Sequence, residues 1–137
     1  MLVIVGLIHI LPVSGALGSE RLAALYGLSF DEPNIAILMR HRAILFGLLG
    51  LFLVLAAFRP AFQTAALIGG FVSVVSFLYL AWSTGNYNSQ VGRVFAADLV
   101  ALVCLVIGGA AHAYMLRKAL SGERIDAPRA RAPESVA

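Results

Sequence analysis

Charged residues are missing from most of the middle of the chain. No Asp, Glu, Lys or Arg lies between Ala43 and Phe58 or between Pro60 and Gly92. A helix that spans the hydrocarbon of a bilayer needs about 20 predominantly apolar residues. The pattern therefore predicts an all-α integral membrane protein, a four-helix bundle that occupies residues 1–116. Its helices are expected over about residues 1–17, 35–58, 64–83 and 94–116.

The segments between and after these spans have their own patterns. Residues 19–26 place apolar positions at helical spacing, which predicts a short helix along the outer interface, capped by Ser19. Asp31 precedes the second span and is the expected cap of that helix. Residues 117–137 are polar and contain two prolines, so we expect a disordered cytoplasmic tail.

The composition removes several classes of function. Apolar residues make up 61% of the chain, whereas a soluble domain usually has about 45–50%, so an ordinary soluble enzyme is excluded. The formal charge is +3, but the basic residues flank the apolar spans or lie in the tail, which fits membrane topology and argues against nucleic acid as a partner. The single cysteine, Cys104, excludes an intramolecular disulfide and a cysteine-based metal site.

The distribution of basic residues predicts an orientation. If both termini share one side, that side carries six Lys and Arg residues and the other side carries four. The positive-inside rule then predicts a multi-pass membrane protein with both termini in the cytoplasm. The first segment has no basic residue before its apolar run, and Pro12 interrupts its end. A retained helix is favoured there, and a cleaved signal sequence is the alternative.

Four polar residues lie deeper in the predicted spans than the other charges. Arg40, His41 and Arg42 fall in the second and third turns of the second span, about 10 Å from its start at about 1.5 Å per residue. Asp98 lies one to two turns inside the same end of the fourth span. An ionised group there costs about 2.5–3.5 kcal/mol on insertion scales, so such groups normally face the bundle and pair. We expect Asp98 to pair with only one of the two arginines, because successive helical residues point about 100° apart.

Two interpretations of this polar layer remain open, a packing device and a ligand site. His9, in the middle of the first segment, is either a neutral histidine bonded to a nearby hydroxyl or carbonyl group, or a proton carrier or ligand. His41 is placed to join Asp98 and His9 around a cavity. His112 follows Asp98 by fourteen residues, about 21 Å along a helix, which excludes a site made of those two within one chain. No dense metal-binding motif occurs, and no metal site is predicted.

The most distinctive run of the chain is residues 37–47, in which Arg40, His41 and Arg42 follow one another between apolar neighbours. Together with residues 6–12, 22–27 and 97–102, this run resembles small four-helix bacterial inner-membrane proteins of unknown function. More distantly, the arrangement resembles DoxX-type proteins, which implies a left-handed four-helix bundle linked to quinone, thiol or lipid chemistry. Some members of the four-helix family of unknown function carry the name phosphopantetheine adenylyltransferase. The soluble enzyme of that name is an α/β protein with a His-x-Gly-His motif, which this sequence lacks.

These observations favour a membrane protein that binds a small amphipathic ligand, a lipid or a quinone, in a polar pocket in the outer half of the bundle. Arg42, Asp98 and His41 would form the core of the pocket, with His9 and Arg40 as second members. An enzymatic version would use a histidine as acid or base and Arg42 to hold an anion, but the sequence identifies neither a reaction nor a cofactor. The alternative is a structural or assembly subunit with no ligand, whose Arg–Asp pair serves helix packing only. Membrane lipid is the expected partner, and a homo-oligomer is left open.

Overall fold

The computed structural model describes residues 1–126 and is 88% helical, with no strands among the described residues. The prediction of an all-α chain is therefore confirmed. The elements are α1 (Leu2–Ile10), a 3₁₀ segment (Leu11–Leu17), α2 (Ser19–Tyr26), α3 (Pro33–Ala57), α4 (Pro60–Thr84) and α5 (Ser89–Asp126).

Three of these helices, α3, α4 and α5, are long and apolar enough to cross a membrane. Helices α3 and α4 have 25 residues each, about 37 Å at about 1.5 Å per residue. Helix α1 and the 3₁₀ segment together form a shorter apolar stretch, Leu2–Leu17. The 3₁₀ segment begins where Pro12 removes a backbone N–H and so prevents α1 from continuing as a regular α-helix.

Helix α5 is longer than the fourth predicted span at both ends. It begins at Ser89 and ends at Asp126, so the expected disordered tail is wrong for residues 117–126. Residues 117–120 are Arg, Lys, Ala and Leu, which are strong helix formers. They extend a helix that already exists, so no new nucleus has to form. Residues 127–137 of the predicted tail lie outside the described residues.

The caps of α2 and α3 differ from those predicted by one residue each. Glu32, and not Asp31, caps α3, since its carboxylate accepts the N–H groups of Asn34 and Ile35 at 3.0 and 2.7 Å. Pro33 occupies the first helical position and has no N–H, so these are the first donors that need a partner. Asp31 instead accepts the Ser29 hydroxyl. Helix α2 is capped by the backbone of Gly18 rather than by the Ser19 side chain.

Helix α1 packs mainly against α3, at a crossing where two glycines face each other. A Cβ atom on Gly50 would lie 2.6 Å from the carbonyl oxygen of Gly6, and one on Gly6 would lie 2.7 Å from the carbonyl oxygen of Gly50. The two backbones therefore approach more closely than any other residue would allow. Around this crossing lies the main core, which includes Val5, Leu53 and Leu105.

Helix α2 is attached beside the start of α5 by a small buried cluster and one hydrogen bond. Leu22, Tyr26 and Phe30 form a second buried cluster. Gly27 ends α2 in the left-handed conformation, at φ 65°. The Asn88 side chain donates to the Tyr26 carbonyl oxygen at 2.7 Å and accepts the Val91 N–H at 2.9 Å. Asn88 thus caps the start of α5 and fixes the end of α2 beside it.

Candidate functional site

A cavity of about 300 Å³ lies where α1, the 3₁₀ segment and α2 meet the facing turns of α3, α4 and α5. Most of its wall is apolar, with Phe46, Phe77 and Val94 among the lining residues. Its polar or ionisable lining residues are His9, Tyr26, Arg42, Gln90, Arg93 and Asp98. Three of the five predicted site residues, His9, Arg42 and Asp98, therefore share one cavity, and each comes from a different helix.

His9 is a buried polar residue in the lining of this cavity and is only 4% exposed. Its Nδ1 atom lies 2.9 Å from the carbonyl oxygen of Val5, and its Nε2 atom lies 3.1 Å from the hydroxyl oxygen of Ser73. A carbonyl oxygen can only accept, so Nδ1 carries the proton, and in the neutral ring Nε2 accepts from Ser73. The simpler expectation for His9, a histidine bonded to a hydroxyl and a carbonyl group, is confirmed.

Arg42 is half-buried in an aromatic cage. Its Cζ atom lies 4.7 Å from the ring centre of Phe46, 5.8 Å from that of Tyr26 and 5.9 Å from that of Phe77. Each contact is within the range over which a guanidinium group is attracted to the face of a ring. Phe46 lies one turn after Arg42 on α3, which is the spacing of neighbours on a helix surface. The other two rings come from α2 and α4, so the fold completes the cage.

Asp98 faces the same cavity from α5 and is half-buried. The positive charge of Arg42 acts on this carboxyl group electrostatically. Within residues 1–126, however, no N–O contact of 4.0 Å or less joins the two side chains. The expected direct ion pair does not form, because the guanidinium group of Arg42 stands among the aromatic rings instead.

Arg40 and His41 do not line the cavity. Arg40 is exposed, and its Nε atom donates to the carbonyl oxygen of Ala16 at 2.9 Å. His41 is also exposed. The helical rotation of about 100° per residue turns both side chains away when Arg42 faces inward. The prediction that only one of the two arginines faces the bundle is confirmed, whereas the expected participation of His41 is not observed.

His112 belongs to the opposite end of the molecule, as its distance along α5 predicted. Its Nε2 atom lies 2.9 Å from the hydroxyl oxygen of Thr64. Both side chains are near a second cavity, of about 340 Å³, which His112 lines. No group of three or more His, Cys, Asp or Glu residues is placed to hold a metal ion in the part of the chain that the structure describes.

Sequence reasoning missed Tyr26, Gln90 and Arg93 as lining residues. A signal existed for Gln90, because it lies eight residues before Asp98, about 80° around the helix at about 100° per residue. Arg93 lies five residues before Asp98, about 140° around the helix, and it also fits the role of a basic flank at the end of a span. Tyr26 gave no comparable signal, since only the position of α2 brings it to Arg42.

The cavity offers an apolar space with a few polar groups and an excess of positive charge. Two arginines and one aspartate leave a net charge of +1 when His9 is counted as neutral. Neither the guanidinium group of Arg42 nor the carboxyl group of Asp98 makes a hydrogen bond to another described residue. Because both residues line the cavity, these groups are available to a ligand there.

Comparison with protein-family models, with curated proteins and with solved structures finds no match for this chain.

Proposed function

We propose that this protein is a four-helix membrane protein that binds a small amphipathic ligand, a lipid or a quinone, in the cavity between α1, α3 and α5. One observation carries the proposal: His9, Arg42 and Asp98 come from three different helices and line one otherwise apolar cavity. Ligand sites typically combine an apolar wall with a few converging polar groups in this way.

The surface of the helices supports the membrane part of the proposal. Large apolar side chains point outward along the long helices, among them Leu48, Leu55 and Val103, each more than half exposed. Contiguous apolar surface on this scale is unfavourable in water. Hydrocarbon is the solvent that suits it, and Leu2–Leu17 would then be the fourth and shortest helix of the bundle. The excess of basic residues on the side of the two termini supports an orientation with both termini in the cytoplasm, and the bacterial inner membrane is the location we propose.

The size of the cavity limits what enters it. About 300 Å³ is at the lower end of the range for ligand pockets. Such a space accommodates a head group or a single ring, while the apolar part of the ligand would extend along the helices. The guanidinium N–H groups of Arg42 would bind an oxygen acceptor of the ligand, and the Asp98 carboxyl group would accept from a donor.

Native mass spectrometry of the protein released from detergent tests the proposal. We expect the wild-type protein to retain a co-purified lipid or quinone, and we expect Arg42→Lys and Asp98→Asn to lose it while they stay helical. Lysine cannot reproduce the planar fork of arginine inside an aromatic cage. Arg117→Lys and Asp31→Asn are the matched controls, since both residues are exposed and neither lines the cavity.

The competing function, a structural or assembly subunit without a ligand, predicts a different result. In that case wild-type protein carries no ligand and gains none from added ubiquinone-1 or phospholipid. Arg42→Lys and Asp98→Asn would then lower the thermal stability and change nothing else. That combination of results would refute the ligand site.

A further inference from the structure

We infer that the cavity recognises a phosphoglycerol group, a phosphate monoanion that carries neighbouring hydroxyl groups, borne by a lipid or free. The inference rests on the proposed ligand site and specifies the chemistry of its ligand. It follows from the charge of the cavity and from the donors and acceptors that the protein leaves unused there.

The charge of the lining residues favours an anion. Arg42 and Arg93 face the cavity with one carboxylate, that of Asp98, so a ligand with a single negative charge neutralises the site. Arg42 is half-buried among rings that line the cavity, while Arg93 is an exposed lining residue. Arginine binds phosphate oxygens through two parallel N–H groups, so two arginines that line one cavity suit a phosphate group.

The carboxyl group of Asp98 requires that the ligand carry a hydrogen-bond donor as well as a negative charge. Asp98 accepts no hydrogen bond from another described residue, and its two oxygen atoms repel a bare phosphate. A hydroxyl group next to the phosphate would donate to Asp98 and remove this conflict. The side-chain amide of Gln90, on the same side of α5, adds a further N–H donor, while its Oε1 atom already accepts from the Ser89 hydroxyl at 2.9 Å.

Other amphipathic head groups satisfy these residues less well. An oxidised quinone has two carbonyl acceptors and no donor, so it leaves the Asp98 carboxyl group without a partner. A phosphocholine group likewise has no donor, and its positive charge leaves the net charge of the cavity uncompensated. A phosphoethanolamine group has a donor but is zwitterionic, so it too leaves the net positive charge in place. Phosphoglycerol meets both conditions.

Lipid selection from mixed nanodiscs tests the inference. The protein is placed in phosphatidylcholine discs that contain equal small fractions of phosphatidylglycerol and phosphatidylethanolamine, and the bound lipid is identified by native mass spectrometry. We expect phosphatidylglycerol to be enriched about tenfold or more over phosphatidylcholine, which has no donor for Asp98, since a hydrogen bond to a charged group contributes about 1.5–3 kcal/mol. We also expect it to be enriched over phosphatidylethanolamine, whose ammonium group leaves the net positive charge of the cavity in place. In a separate experiment, glycerophosphoglycerol, a free phosphate diester with a single negative charge and free hydroxyl groups, is added to discs of phosphatidylcholine alone, and its binding there without phosphatidylglycerol enrichment in the mixed discs would assign the site to the free compound.

Three variants separate the contacts. Arg93→Gln should lower the enrichment about tenfold without affecting folding, because this side chain is exposed. Arg21 is an exposed residue of α2 that does not line the cavity. Arg21→Gln removes its positive charge and should leave the enrichment unchanged. Asp98→Asn should reduce the preference for phosphatidylglycerol over a phosphatidylmethanol probe, which has the same charge but no hydroxyl group.

The outcomes distinguish this inference from the proposed function. Binding of a neutral quinone, or of all phospholipids equally, overturns the phosphoglycerol assignment and leaves the amphipathic ligand site intact. Equal loss of enrichment in Arg21→Gln and Arg93→Gln also overturns it, because general attraction to a positive surface would then explain the result. If no amphipathic compound binds at all, the proposed function fails as well.

Discussion

The close crossing of α1 and α3 leads to a specific prediction for Gly50→Ala. An added Cβ atom would lie 2.6 Å from the carbonyl oxygen of Gly6 and 3.1 Å from the backbone nitrogen of Ile10. Both are backbone atoms, which cannot rotate away as a side chain would. Ordinary van der Waals contact begins at 3.4 Å, so the helices must separate by 0.8 Å, the difference between 3.4 and 2.6 Å, along that direction.

The energetic consequence follows from two opposing effects. Overpacking of this kind typically lowers the free energy of unfolding by about 1–3 kcal/mol. Replacing a helical glycine by alanine raises it by up to about 1 kcal/mol through helix propensity. Gly69→Ala has the same propensity gain, but its Cβ atom meets only the Leu49 side chain, at 3.5 Å. We therefore expect Gly50→Ala to be about 1–3 kcal/mol less stable than Gly69→Ala, because overpacking alone separates them.

The separation of α1 from α3 should also change the cavity. His9 lies one turn after Gly6 on α1, and its contact with the Ser73 hydroxyl measures 3.1 Å. A displacement of α1 by several tenths of an ångström would take this contact out of hydrogen-bond range. Gly50→Ala should therefore lose bound ligand as well as stability, while Gly69→Ala should lose neither.

Unfolding by SDS in mixed micelles, followed by far-UV circular dichroism, measures the difference between the two variants. Retained ligand is counted by native mass spectrometry on the same samples. Equal stability of Gly50→Ala and Gly69→Ala would refute the reasoning, since it would mean that the backbones of α1 and α3 are not in contact at this crossing.

Three further predictions concern other contacts of the same helices. Ser73→Ala leaves the buried Nε2 atom of His9 without a partner and should lower the free energy of unfolding by about 1–3 kcal/mol in the same SDS titration, with a smaller loss for Ser73→Thr. Leu53→Ala leaves a cavity at a fully buried position and should lower the free energy of unfolding by about 2–5 kcal/mol. Leu48→Ala, at a position 59% exposed, should lower it far less, and equal losses would contradict the described packing. Backbone N–H groups in the first turn of α3 lower the pKa of Glu32 below its ordinary value of 4.5. The contribution of this cap to stability is therefore present above pH 4.5 and is lost as the pH falls through the lowered pKa. A carboxyl ¹³C NMR titration should give a midpoint below 4.5, and Glu32→Gln should remove the acid dependence of fraying at the start of α3.

The sequence alone determined where the helices lie and which solvent they suit. Both properties depend on the local succession of apolar and polar residues, so the long uncharged runs around Leu53 and Val74 specify them without knowledge of the fold. The boundaries moved where the chain continued a helix, as in residues 117–126, where Pro12 ended the regular α-helix of the first span, and where the neighbouring residue was the better cap, as with Glu32.

The tertiary structure decided which polar residues meet. From the sequence, Arg42 and His41 were expected at the core of the pocket and Arg40 as a second member. Depth in a helix is readable along the chain, but the direction of a side chain depends on how the helix is rotated against its neighbours. The glycine crossing of α1 and α3 fixes that rotation. Of the three residues, only Arg42 then lines the cavity with His9 and Asp98. The aromatic cage comes from three separate elements, and its rings hold the guanidinium group away from the carboxylate that the sequence had assigned to it. Pairing across helices is a property of packing, and no pattern within one helix contains it.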